Sequence, residues 1–171
     1  MANTFTLIST ITVGSGGAAS IDFTSIPSTY TDLCLKVSGR SSAGPSGGTE
    51  FYTKFNANTS SYSSKLLFGA GSSTGSLSGS STQYNLAIMC ANGDTASTFG
   101  NAEFYIPNYA GSNYKSVSVD SVNENNATAA YVYLTAGLWS NTAAINQITL
   151  TPYSGNFVQY SSASLYGILK A

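Results

Sequence analysis

The one spacing in this chain that matches a hydrolytic signature is Gly71-Ser72-Ser73-Thr74-Gly75, the G-x-S-x-G of a nucleophile elbow. An elbow needs a strand before the serine, a helix after it and a base to take the hydroxyl proton. Here the motif lies in a Gly/Ser tract with no helical pattern, and the chain has no histidine. Among 29 Ser and 17 Gly such a match arises by chance. Lack of histidine also removes the commonest metal ligand and the one side chain that titrates unperturbed near neutrality. Cys34 and Cys90 are too few to hold zinc. Seven carboxylates remain: Asp22, Asp32, Glu50, Asp94, Glu103, Asp120 and Glu124. Two suffice for glycoside hydrolysis, yet most of these stand beside polar residues at strand ends or on outward parities, where a solvated carboxylate is expected. The run Asp120-Ser121-Val122-Asn123-Glu124-Asn125-Asn126 offers oxygens of the kind calcium takes. The preferred reading is a polar hairpin loop that tolerates left-handed backbone. The expectation is a protein with no enzymatic activity, no cofactor and no metal.

The aromatic residues suggest contact rather than catalysis. Tyr52 and Tyr105 fall on outward parities of their segments, and Tyr131 and Tyr133 oppose the Val132/Leu134 face. Exposed tyrosines make good β-formers, and they are also enriched at the cores of interfaces. These four are the candidate interface residues. Trp139, the sole tryptophan, closes the segment that carries Tyr131 and Tyr133 and is expected in the core.

The elements that must position these residues read as strands. Ser20 to Arg40 organises the chain: Ile21 and Phe23 flank Asp22, and later Leu33, Leu35 and Val37 alternate with Asp32, Cys34, Lys36 and Ser38. A period of two puts these sets on opposite faces of a sheet. Between them Pro27 fixes its own φ, lacks a ladder donor and holds Ile26 extended, which predicts a corner where the chain changes sheets. Strands are also predicted over 4–13, 51–55, 83–90, 99–106, 116–120, 147–151 and 163–169, over 129–139 where both parities are apolar or aromatic, and briefly at 66–68. The tract from Gly69 to Thr82 is expected to be a long surface loop. About ten short strands with turn residues between them and no helical period predict an all-β fold: a two-sheet antiparallel β-sandwich, with a jelly roll preferred. At 171 residues the whole chain, 1–171, is expected to form one domain.

Charged residues are only 8% of the chain and the net charge is −1, so no basic patch marks a nucleic-acid partner or a membrane surface. No leader or membrane-spanning run is visible at the start of the sequence. Cys34 lies on a polar parity and Cys90 on an inward one, which predicts two free thiols and assembly in a reducing cytoplasm.

Ile21-Asp22-Phe23, the run Ile26-Pro27-Ser28-Thr29-Tyr30-Thr31-Asp32-Leu33 to Arg40, Phe55-Asn56 with Ser61-Tyr62-Ser63, and Ser164-Leu165-Tyr166-Gly167-Ile168 together resemble small virion structural proteins of tailed bacteriophages, of cyanophage type. The similarity spans nearly the whole chain, and Ile-Pro-x-x-Tyr-x-Asp-Leu is its most specific part. That group includes head decoration (cement) proteins and tail-associated proteins, and no catalytic residues carry over from it. The resemblance implies a virion structural protein more firmly than any one location. With a single domain, a nearly neutral hydroxyl-rich surface and no catalytic inventory, the leading expectation is a homotrimeric cement protein that binds the major capsid protein on the outside of the head, after assembly in the host cytoplasm. The alternative it leaves open is a tail-fibre or receptor-binding module that recognises host-surface glycan through the tyrosines.

Overall fold

A computed structural model describes residues 4–81, 84–126 and 130–169. Among these the secondary structure is all β, with no helix. The strands are β1 (Phe5–Thr12), β2 (Ile21–Phe23), β3 (Asp32–Gly39), β4 (Thr49–Phe55), β5 (Tyr62–Ala70), β6 (Ser73–Ser81), β7 (Tyr84–Met89), β8 (Gly100–Ile106), β9 (Lys115–Val122), β10 (Tyr131–Trp139), β11 (Ile148–Pro152) and β12 (Ser162–Ile168). They form an eight-stranded sheet, ordered β1-β12-β3-β8-β9-β10-β5-β6, and a four-stranded one, β2-β11-β4-β7. Every strand pairing is antiparallel, so the fold is a two-sheet β-sandwich.

The Pro27 corner does what its chemistry dictates. β2 belongs to the smaller sheet and β3 to the larger, so the chain crosses between layers at Ile26-Pro27. Ile26 is buried and donates its N–H to Asn146 O at 2.9 Å, while the Tyr109 hydroxyl donates to Pro27 O. Tyr30 lies against Gly167 of β12, where a Cβ would fall 2.2 Å from the Tyr30 ring. Only glycine leaves room there for the ring, which ties the corner to the larger sheet.

Between the sheets the alternation expected from sequence is realised. Leu33, Leu35, Val37, Phe104, Ile106, Val117, Val119 and Leu165 of the larger sheet meet Ile21, Phe23, Phe51, Phe55, Ile148 and Leu150 of the smaller one. At one end Trp139 stacks on Tyr62 with ring centroids 6.2 Å apart and meets Phe55 at 5.7 Å.

Two sequence expectations need correction. The tract from Gly69 to Thr82 is not a loop for most of its length. β5 and β6 form a hairpin paired from Tyr62↔Ser81 to Ala70↔Ser73, turning at Gly71-Ser72 with Gly71 at φ +56. β6 occupies a sheet edge and is exposed along nearly all its described length. It needs no apolar face, so its Ser/Gly/Thr sequence carries no period-two signal, and Leu77 is its one large apolar residue. Phe68 lies over Gly75 on the facing strand, an aromatic covering the gap that a glycine leaves. The second correction concerns Cys34. It points outward as its parity predicts, yet it is buried, flanked by its cross-strand partners Tyr166 and Tyr105. Both thiols are free, as expected.

These buried acids give the stability a predictable pH dependence. Burial pushes the Cys34 thiol up from 9.0 to about 11 and the Tyr62 phenol up from 10.0 to about 12. Tyr133 rises from 10.0 to about 12, through burial first and then the neighbouring Glu50 charge. An unfolded chain releases these protons first as pH rises, so the stability they lend is complete below the unfolded values and is lost as pH climbs through the folded ones. Urea midpoints are therefore expected to hold steady between about pH 5 and 8, where no histidine titrates. They should then fall steadily from about pH 9 to 12. A midpoint unchanged from pH 8 to 11 would contradict this burial.

Candidate functional site

The larger sheet is wider than its partner and wraps past β7. Ile88 of β7 pairs with Glu50 of β4, so both face away from the main core, yet Ile88 is buried. It is covered by Leu66, Phe68, Tyr131 and Tyr133 from β5 and β10, which make a second small apolar cluster. This reverses the facing expected for β10: Tyr133 is only 8% exposed, while Val132 and Leu134 are 51% and 57% exposed. Both parities of this strand are apolar or aromatic, so periodicity alone cannot say which one faces inward. The wrap selects the tyrosines, whose rings pack over Ile88 of β7.

Two of the four candidate tyrosines, Tyr131 and Tyr133, thereby come together, and Tyr52 lies outside the cleft they line. Tyr131 and Tyr133 meet edge to face, with centroids 6.0 Å apart and planes at 90°. Tyr52, on the outer face of β4, meets Tyr153 edge to face at 5.7 Å. Between the pairs lies an open cleft of about 290 Å³, lined by Glu50, Ile88, Tyr131, Tyr133, Tyr153 and the loop Pro45–Thr49. The Glu50 carboxylate lies close enough to Tyr133 for its charge to add to the burial that raises the phenol pKa. Sequence reasoning missed Tyr153, which follows Pro152 at the end of β11 and is 63% exposed. Its N–H donates to Glu50 O at 3.0 Å, so the pairing of β4 with its neighbours places it, and no local pattern signals that.

The cleft walls are fixed from behind. Asp94 is buried and accepts from Gly47 N and Ala91 N, each at 2.7 Å. Gly48 has φ +92, and a Cβ there would fall 2.8 Å from Met89 O. Asn123, fully buried, accepts from Tyr131 N at 2.5 Å and lies against Gly48, where a Cβ would sit 2.2 Å from its Nδ2. One asparagine thus braces both walls. Asp94 also departs from the expectation of a solvated carboxylate.

Tyr105 stands apart. Its hydroxyl donates to Asp32 Oδ2 at 2.6 Å, and Asn108 N donates to Asp32 Oδ1 at 2.8 Å, so this tyrosine anchors a strand end. The other carboxylates are similarly engaged or solvated. Asp22 accepts from Thr149 Oγ1 at 2.6 Å, and Glu103 pairs with Lys36 at 2.8 Å. Asp120 is opposite Glu103 in the register and exposed on an open strand face. Ser73 opens β6 directly after the hairpin turn, with no helix to present it.

A second surface lies on the outer face of β5, β9 and β10. Val132 is opposite Val122, and Leu134 is opposite Leu67. All four point away from the core and are at least 40% exposed. Leu67, Val132 and Leu134 line a shallow depression of about 510 Å³ with Gly69, Thr74 and Ser76. Comparison with protein-family models, with curated proteins and with solved structures returns no match.

Proposed function

We propose that the protein is a passive decoration (cement) protein, seated as a homotrimer on the outside of a tailed-phage head and bound to the major capsid protein. The sequence resemblance supplies the setting. The carrying observation is the outward aliphatic group Leu67, Val122, Val132 and Leu134, four large side chains left in water by the fold itself. Covering them recovers about 25 cal/mol for each Å² of apolar surface removed from water. Repeated over several capsid subunits, such modest contacts sum by multivalency. Around this face the described cations are engaged locally: Lys65 donates to Ser78 Oγ at 2.6 Å. Asp120, opposite Leu134 in the register and exposed, shares this face, so a docked partner must pair that carboxylate or leave it in water.

Strand order supports the jelly-roll reading. The set β1-β12-β3-β8 and the set β2-β11-β4-β7 make up eight strands in two layers of four, and β9-β10 and β5-β6 extend the first layer. The larger sheet ends in β1 and β6, and their outer backbone groups suit pairing between copies.

The test replaces Leu67 and Leu134 together by aspartate, both on the solvent face, and checks the fold by circular dichroism. Sedimentation of particles with the wild-type protein should retain it at about 0.5 M salt, because apolar contacts are not screened. The double variant should lose at least about tenfold in retention, since burying a carboxylate without a partner is costly. Retention of the folded variant, or release of the wild type by salt, would overturn the reading.

A further inference from the structure

The tyrosine cleft has a chemistry distinct from the aliphatic face. Its walls offer the rings of Tyr131, Tyr133 and Tyr153, and its polar side chains are those tyrosines, Glu50, Ser46 and Thr49. No lysine or arginine lines it. Its braces, Asp94 behind Gly47 and Asn123 between Gly48 and Tyr131, hold the shape without a ligand, the condition under which little ordering entropy is lost on binding.

A pyranose ring is the small molecule whose surface complements this arrangement. Its C–H faces lie flat on aromatic rings, and its equatorial hydroxyls donate to a carboxylate, which accepts two at once. At about 290 Å³ the cleft sits at the small end of ligand sites and suits one or two sugar rings. The same groups select against anions: Glu50 repels a carboxylate, sulfate or phosphate, and no cation offsets it. Hydrolysis is not built in, because it takes a pair of carboxyl groups and Glu50 alone lines the cleft among the described residues. From these observations we infer that the Glu50 cleft is a binding site for a neutral saccharide, with Tyr153 as the stacking platform and Glu50 as the hydroxyl acceptor. The site faces away from the core on the outer side of the smaller sheet, and it works whether or not the aliphatic face docks on a capsid.

Glu50 and Tyr133 line the cleft side by side, and burial followed by the Glu50 charge raises the Tyr133 phenol pKa, so the phenol stays neutral where a glycan would be met.

The experiment is a titration of the full-length protein with maltose, cellobiose, lactose and an N-acetylglucosamine disaccharide. Saturation-transfer NMR and calorimetry provide the readouts, and 3′-sialyllactose serves as the anionic counter-probe. At least one neutral sugar should bind at a single site with Kd of about 0.1–10 mM, the range of a small, shallow polar site. Tyr153→Ala and Glu50→Gln should each weaken it by about tenfold or more. Tyr153 is largely exposed and Glu50 stands on the outer face of β4, so circular dichroism should show both variants folded. The sialylated sugar should bind more weakly than lactose. Three results would each overturn the assignment: no neutral sugar bound at about 50 mM, affinity unchanged in both folded variants, or the anionic sugar bound more tightly than lactose.

Discussion

Trp139→Ala is expected to destabilise the protein by about 4 kcal/mol, within the range of about 3–5 kcal/mol measured when large aromatic core residues are truncated. The indole is 1% exposed and lies between Tyr62 and Phe55, so its removal leaves a cavity walled by rings that cannot all follow. For a chain of this length the shift in Tm is about 8–16 °C. The loss comes from packing alone, because the Trp139 Nε1–H has no hydrogen-bond partner among the described residues. Trp139→Phe keeps a ring in the stack and removes that unpartnered donor, so its expected cost is smaller, about 1–2 kcal/mol. Calorimetric unfolding of the two variants checks both. Equal losses would mean that the indole N–H is satisfied, and a loss below about 1 kcal/mol for the alanine variant would contradict the packing account.

Arg40→Met is expected to cost about 3 kcal/mol and to loosen the segment that follows Ala91. The guanidinium is nearly buried and donates to Thr95 O at 2.8 Å, Thr98 O at 3.0 Å, Asp94 O at 3.1 Å and Thr98 Oγ1 at 3.2 Å. It organises an irregular loop that has no ladder of its own, by the fixed fork that lysine lacks. Methionine preserves the stem's packing and leaves those carbonyls without their donor. Since Asp94 in that loop also holds Gly47, the effect should reach the cleft wall. Amide hydrogen exchange should show faster exchange at Gly47 and across 91–98, with β3 and β8 still protected. Arg40→Lys should recover only part of the loss. Full recovery by lysine would mean that charge, and not the fork, organises the loop.

The frame of the molecule was legible wherever one face of a strand had to be greasy and the other wet. The Ile26-Pro27 corner, the alternation of β3 and the inward Val117 and Val119 all follow from local chemistry. Legibility failed in two physical circumstances. An edge strand with neither face covered, β6, has no reason to alternate, and its Ser/Gly composition resembles a loop. A strand with apolar groups on both parities, β10, takes its facing from the wrap of the larger sheet over Ile88, which is a tertiary fact. The candidate site depended on that fact. Tyr131 and Tyr133 could be singled out by type, but their meeting with Glu50 needs the β4–β7 register, Tyr52 stays outside the cleft, and Tyr153 joins only through the end of β11. Buried polar struts were also invisible. Asn123 and Asp94 look like loop residues in the sequence and act as braces in the fold, because Asn123 accepts from Tyr131 N across the β9–β10 connection and Asp94 accepts from Gly47 N far back in the chain.

The aliphatic face and the cleft use different forces at different places, so the two assignments stand or fall separately. Docking through Leu67, Val122, Val132 and Leu134 is a matter of apolar area and repetition, while the cleft depends on ring faces and one carboxylate. Neither requires turnover, and both suit a rigid scaffold whose loops are tied down by Arg40, Asp94 and Asn123.

The most direct measurement of the docking claim is the number of copies of this polypeptide per purified particle, read from a stained gel against the major capsid protein. Repetition over a head lattice predicts on the order of hundreds of copies per particle. A count of a few to some tens would place the protein on a tail, and its absence from particles would contradict the account outright.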